Sequence, residues 1–170
     1  QEKTDVSMQI SRFYLKESSG VKWRQEGDLE WGFDERKGRL IIKGKGSLED
    51  YADGSKTCLM KGYDDFADIP WRKKCKGQIK SVVICYGVSS ICRNAFYDCS
   101  MLESVVLSNS VTSIGDYAVR DCRGLESVTI PNSVSSIGSS VFYGCKGLTS
   151  IIIPNSVTSI ADNLFYNCTR

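Results

Sequence analysis

Histidine is missing altogether from these 170 residues. The commonest acid–base side chain and zinc ligand is therefore gone, and hydrolases of the Ser-His-Asp or Cys-His kind are excluded. No apolar run is long enough to cross a bilayer as a helix. Charge of either sign is nearly balanced, with 22 Lys+Arg against 20 Asp+Glu and a net +2. No Lys/Arg run alternates with aromatics, so nucleic-acid binding has no electrostatic footprint. There are eight cysteines, yet no two stand as C-x-x-C. Charged residues make up 25% of the chain, an ordinary globular share that argues against intrinsic disorder. An initiator Met is also lacking, and the start at Gln1 reads as a mature or trimmed product whose signal peptide has been removed.

What is present is one sentence written four times. Ile79, Leu102, Leu125 and Leu148 open successive units at a constant period of 23, giving repeats 79–101, 102–124, 125–147 and 148–170. A period of 20–29 opening with L-x-x-V-x-I is the mark of a leucine-rich-repeat solenoid. The expected fold is a right-handed coil with a parallel β-sheet, short second strands and short helical turns, preceded by an N-terminal β-rich cap. The expected division is a lead-in and cap over 1–78 and four repeats over 79–170.

Each unit reads in three pieces. In Leu125–Ile130 the first, fourth and sixth residues are apolar and turn inward as a strand. Pro131-Asn132-Ser133 is turn chemistry, and 134–137 is a second extended piece. Val141, Phe142 and Cys145 fit about one turn of helix closing the coil. A single coil cannot bury enough apolar surface to repay the entropy of ordering it, so stacking is obligatory.

Ahead of the repeats, Met8, Ile10, Phe13 and Leu15 alternate and predict a short strand. Trp31-Gly32-Phe33, a turn over 34–38 and Leu40-Ile41-Ile42 predict a hairpin. Residues 49–68 form an acidic, aromatic loop. Its Glu49, Asp50, Asp53, Asp64, Asp65 and Asp68 lack the spacing of a calcium loop, and a solvated loop is the better reading. Trp23, Trp31 and Trp71 all precede the repeats, where sealing the open core outweighs a sugar-stacking platform.

At L-T-S-I-x-I-P-N-S-V-T-S-I followed by F-Y-x-C, the chain resembles the BspA-type (Treponema-type) leucine-rich repeats. The resemblance extends upstream through 38–48 and Ile69-Pro70-Trp71 and covers roughly 28–170. It implies a surface or secreted protein of a host-associated microbe with a role in adhesion and protein binding. Departures stand out at Cys85-Tyr86, where later units have Pro-Asn, at Cys92 in place of Gly115 and Gly138, and at Val119. Val119 replaces the phenylalanine of the other units (Phe96, Phe142, Phe165), which leaves the second coil underfilled.

Cys99, Cys122, Cys145 and Cys168 recur at the repeat period. Ligands one rung apart lie on a line rather than at tetrahedral vertices, so the ladder reads as a small buried residue filling one core slot, reduced and metal-free. Cys58 and Cys75 stand outside it, and whether they pair stays open. No catalytic, cofactor or metal residue emerges. On the strands, the second, third and fifth positions face outward. The fifth reads Val83, Val106, Thr129 and Ile152, the third is all serine, and the second includes Glu103 and Glu126. Val83, Glu103, Val106, Glu126, Thr129 and Ile152 are thus the candidate contact residues for a partner. The helical side, around Tyr97, Arg120, Tyr143 and Tyr166, is the fallback.

The expectation is a non-enzymatic recognition or adhesion module, extracellular or at the cell surface. Its partner would be a protein, such as a host extracellular or surface protein, with a glycan as the other class. The rivals are a structural spacer presenting another domain and an accessory domain of a surface enzyme. The last repeat, uncovered on one flank, adds the expectation that either the native protein continues beyond Arg170 or two copies associate end to end.

Overall fold

In a computed structural model, residues 6–47, 69–75 and 77–169 are described. The acidic loop and the Cys58–Cys75 question lie outside them. The first element among the described residues is helix α1 (Val6–Lys16), where a strand was expected. Strands β1 (Trp23–Glu26), β2 (Leu29–Asp34) and β3 (Arg39–Gly44) form an antiparallel meander, so the expected hairpin is present as β2–β3. A two-residue β4 (Gly46–Ser47) and a short helix α2 (Arg72–Cys75) are the other elements among the described residues of the lead-in.

The repeats contribute β5 (Ser81–Ile84), β6 (Val88–Ile91), β7 (Ser104–Leu107), β8 (Ser113–Ile114), β9 (Ser127–Thr129) and β10 (Ser136–Ile137). They build two sheets. The first runs β1-β2-β3-β5-β7-β9 and the second β4-β6-β8-β10. From β3 onward every pairing is parallel, with Leu40, Val82, Val105 and Val128 in one register. β3 and β4 are therefore a coil stacked under the first 23-residue unit, and the ladder runs unbroken across the 78/79 boundary. In the fourth unit, 150–153 is not a strand, although the sequence predicts one there; the ladder ends at β9.

The third side of each coil is not helical, which corrects the expected helical turns. Three overlapping turns replace the helix, closed in the first unit by Ala95 N–H to Cys92 O, Tyr97 N–H to Asn94 O and Cys99 N–H to Phe96 O. The physical reason is a pair of left-handed residues four apart in every unit: Asn94 and Asp98, Tyr117 and Asp121, Ser140 and Gly144, Asn163 and Asn167, all with φ between 54° and 69°. A positive φ ends an α-helical run. It also frees alternate amides to reach the next coil: Asn94, Phe96 and Asp98 donate to Asp116 O, Ala118 O and Arg120 O at 3.0, 2.8 and 2.8 Å.

The core fills the inside of this prism. Leu40, Ile42, Ile79, Val82, Ile84, Leu102 and Leu125 are buried, as are Phe96 and Phe142. Trp31 and Trp71 meet edge to face at 6.2 Å, and Trp71 stacks on Phe96 at 6.0 Å, so these two close the N-terminal end. Trp23 lies on the opposite face of the first sheet, against Ile41. Around Val119 an apolar cavity of about 20 Å³ remains, lined by Phe96, Ala118, Val141 and Phe142 among others. This is the shortfall that a valine in a phenylalanine slot leaves. Gly87 marks the tightest approach between coils: it has φ +110°, and a Cβ there would sit 2.2 Å from Gly44 O.

Candidate recognition face

The outward column of the first sheet is Ile41, Val83, Val106, Thr129 and Ile152, one residue per coil. Its exposure rises along the stack. Ile41 and Val83 are buried, Val106 is half-buried, Thr129 is exposed, and Ile152 is 85% exposed.

Helix α1 causes the gradient. Its Tyr14 and Leu15, with Trp23 from β1 and Val106 from β7, pack against Ile41, Val83 and Cys85. Two serines fix its register. Ser11 Oγ accepts from Tyr86 N–H, and Ser7 Oγ accepts from Asn109 N–H, both at 2.9 Å. Arg39 lies over the Tyr14 ring at 4.8 Å and Lys37 pairs with Glu17 at 3.1 Å. Val83 is therefore not an open contact residue, and Val106 is only partly one, because the protein's own helix occupies that half of the face. Glu103, Glu126, Thr129 and Ile152 remain exposed. Burial beneath the helix also pushes the Cys85 thiol up to about 11, which removes it as a nucleophile at neutral pH.

The cysteine column is buried at Cys99, Cys122 and Cys145 and half-buried at Cys168. Its chemistry exceeds that of a filler. Cys122 Sγ–H donates to Phe96 O at 3.1 Å, Cys145 to Val119 O at 3.2 Å, and Cys168 to Phe142 O at 2.8 Å. Each thiol thus ties its coil to the one before, on a carbonyl that already accepts an amide within its own turn. Desolvation raises the Cys122 thiol well above its ordinary range and the Cys145 thiol to about 12. Cys99 departs from expectation: it is disulfide-bonded rather than reduced, whereas Cys85, Cys92, Cys122, Cys145 and Cys168 are free. Among the described residues, no cluster of three or more acidic or cysteine side chains could hold a metal ion.

On the turn side, Arg72 lies over Tyr97 at 5.5 Å and Arg120 over Tyr143 at 4.2 Å, while Tyr143 stacks on Tyr166 at 5.3 Å. Stacked rings cover one another's faces and present edges, a poor surface for a sugar ring. The sheet face is the better candidate.

The geometry of stacked 23-residue coils agrees with comparisons to known proteins. A family model for the BspA type leucine rich repeat region (6 copies) matches residues 73–170. The chain belongs to the BspA-type leucine-rich-repeat family. A leucine-rich repeat protein from Eubacterium ventriosum superposes with a TM-score of 0.69 at 30% identity, over 85% of this chain and 35% of that one. A leucine rich cell surface protein from Faecalibacterium prausnitzii gives 0.53 at 26% identity, covering 89% and 41%. One from Bacteroides ovatus gives 0.51 at 36% identity, over 54% and 23%. This BspA-type chain thus spans well under half the length of these relatives. No curated protein matches it.

Proposed function

We propose that this BspA-type array is a non-enzymatic recognition module at the cell surface or outside the cell. It binds a protein partner through the part of the first sheet that α1 leaves open. The observation that carries the reading is Ile152, a large apolar side chain 85% exposed at the end of an aligned outward column. Aligned exposed apolar residues bordered by small hydroxyls and a few charges have the make-up of a contact surface; here Ser127, Ser150, Glu126 and Thr149 supply the border. The disulfide at Cys99 supports an exported location, because such bonds persist in oxidising compartments. The Faecalibacterium relative, a cell surface protein, supports the same placement.

The test is a capture experiment with the purified chain against a panel of extracellular-matrix proteins and glycans. Ile152→Lys should fold normally, since the side chain leaves no core vacancy, and should weaken capture at least tenfold, about 1.4 kcal/mol. Equal capture by the variant would move the site to the turn side.

A further inference from the structure

The uncovered half of the sheet face repeats the backbone of the half that α1 covers. After each strand the same turn closes: Val88 N–H to Cys85 O, Val111 to Ser108 O, Val134 to Pro131 O and Val157 to Pro154 O, between 3.0 and 3.4 Å. The residue following each acceptor is Tyr86, Asn109, Asn132 and Asn155, and its own N–H is left over by that turn. In the first two coils serine hydroxyls of α1 accept from this amide. In the third and fourth, Asn132 and Asn155 are exposed, and their N–H groups have no acceptor among the described residues. Beside them stand Thr129 and Ile152, the bare continuation of the column on which α1 packs.

We propose that the third and fourth coils accept an amphipathic α-helix of a protein partner, docked in the register that α1 adopts on the first two. Two small hydroxyl side chains, four residues apart on the partner's apolar face, accept from Asn155 N–H and Asn132 N–H. The apolar face itself lies on Thr129 and Ile152. Polarity follows from α1, where Ser7 meets the second coil and Ser11 the first. The earlier hydroxyl of the partner therefore meets Asn155. This proposal rests on the reading of the sheet face as the binding surface and names the class of partner.

Dimensions limit the contact. Four residues of helix rise about 6 Å, while neighbouring strands are about 4.8 Å apart. A straight helix drifts by roughly 1.2 Å per coil on these figures, so it can present one hydroxyl pair but not a long row. Two to three turns of helix are sufficient.

The probe is a helix-stapled peptide with the sequence of residues 4–11, which ends at Ser11 and so stays clear of α1 on the second coil, titrated into the isotope-labelled full chain and followed by amide NMR. The expected result is saturable shifts at Asn132 and Asn155 with Tyr86 and Asn109 unmoved. Affinity should fall at least tenfold for a peptide carrying Ser7→Val and Ser11→Val. Shifts confined to Tyr86 and Asn109 would mean exchange with the resident helix and would overturn the proposal, as would no shifts or equal binding by the valine peptide. The two readings fail separately. If the peptide moves nothing while Ile152→Lys still weakens capture of a matrix protein, the face binds by other chemistry and only the helix is wrong.

Discussion

The two ends of the stack solve the same problem differently. On the turn side, the carbonyls of one coil are bonded by the amides of the coil before it. At the N-terminal end, among the described residues, side chains take that place. Trp71 Nε1–H donates to Ala95 O at 2.8 Å, and the Arg72 guanidinium donates to Tyr97 O. These are the carbonyls equivalent to Ala118 O and Arg120 O one coil later, which Phe96 and Asp98 N–H occupy. At the last rung, Asn163, Phe165 and Asn167 N–H have no acceptor among the described residues, and Ile152, Ile160 and Tyr166 are exposed. A repeat therefore does not carry its own stability. The same text is ordered by two neighbours in the middle, by a tryptophan–arginine cap at one end and by one neighbour at the other.

Opening the sealed end is expected to have the largest effect. Trp71→Ala removes a fully buried indole and leaves Ala95 O unpaired, so the loss should be about 3–5 kcal/mol. Urea unfolding checks it; a loss under 1 kcal/mol would mean the cap does not hold the array. Arg72→Leu, which deletes one donor and keeps the stem, should cost roughly 1–3 kcal/mol. Hydrogen exchange compares the ends directly. Amides of Asn94, Phe96 and Asp98 should exchange more slowly than those of Ser140, Phe142 and Gly144, whose acceptors lie in the terminal coil. Equal protection would erase the contrast.

Thiol reactivity sharpens the same comparison. Half-buried Cys168 should react first with a thiol reagent, and Cys122 and Cys145 only with unfolding. The buried thiols ionise later in the folded chain than in the unfolded one, where the ordinary value is 9.0. Their contribution to stability is thus complete below about pH 9 and is lost as the pH rises through that value toward about 12. Thermal melts across that range should show the decline, and a Cys168→Ser control, which keeps both buried thiols, should show nearly all of it. The smallest effect is expected in the middle, where neither end is touched. Val119→Phe restores the residue of the other three units and fills the cavity, for a gain of about 1 kcal/mol. A loss would mean that the surrounding side chains have already closed on valine.

The constant period made the parallel sheet and the inward residues legible, because register along a stack is set by repeat length, and the hairpin was legible from two apolar runs flanking the turn at 34–38. Helix α1 was not legible. Its alternating Met8, Ile10, Phe13 and Leu15 mimic a strand, and part of its packed face is hydroxyl: Ser7 and Ser11 are there to bond corner amides, which a hydrophobic period cannot reveal. For the same reason the outward column read as uniformly open, and the covering of Val83 was missed. The turn side did carry a signal. Asn94, Asp98, Asp121, Asn163 and Asn167 recur at the left-handed positions, a preference of short polar side chains. The cysteine column was readable as a core slot; its S–H donation depends on a carbonyl placed by the previous coil and has no trace in the sequence.

The direction of the turn-side amides has an electrical consequence. Asn94, Phe96 and Asp98 in the first unit, and Ser140, Phe142 and Gly144 in the third, all aim their N–H groups toward the C-terminal end. Peptide dipoles that share a direction add, as they do along a helix. One side of this array is accordingly a column with its negative pole at Ala95 O and Tyr97 O and its positive pole at Asn163, Phe165 and Asn167. The guanidinium of Arg72 sits on the negative pole as a fixed counter-charge. A chain whose net charge is only +2 is therefore polarised along its length, and every added coil would move the two poles further apart.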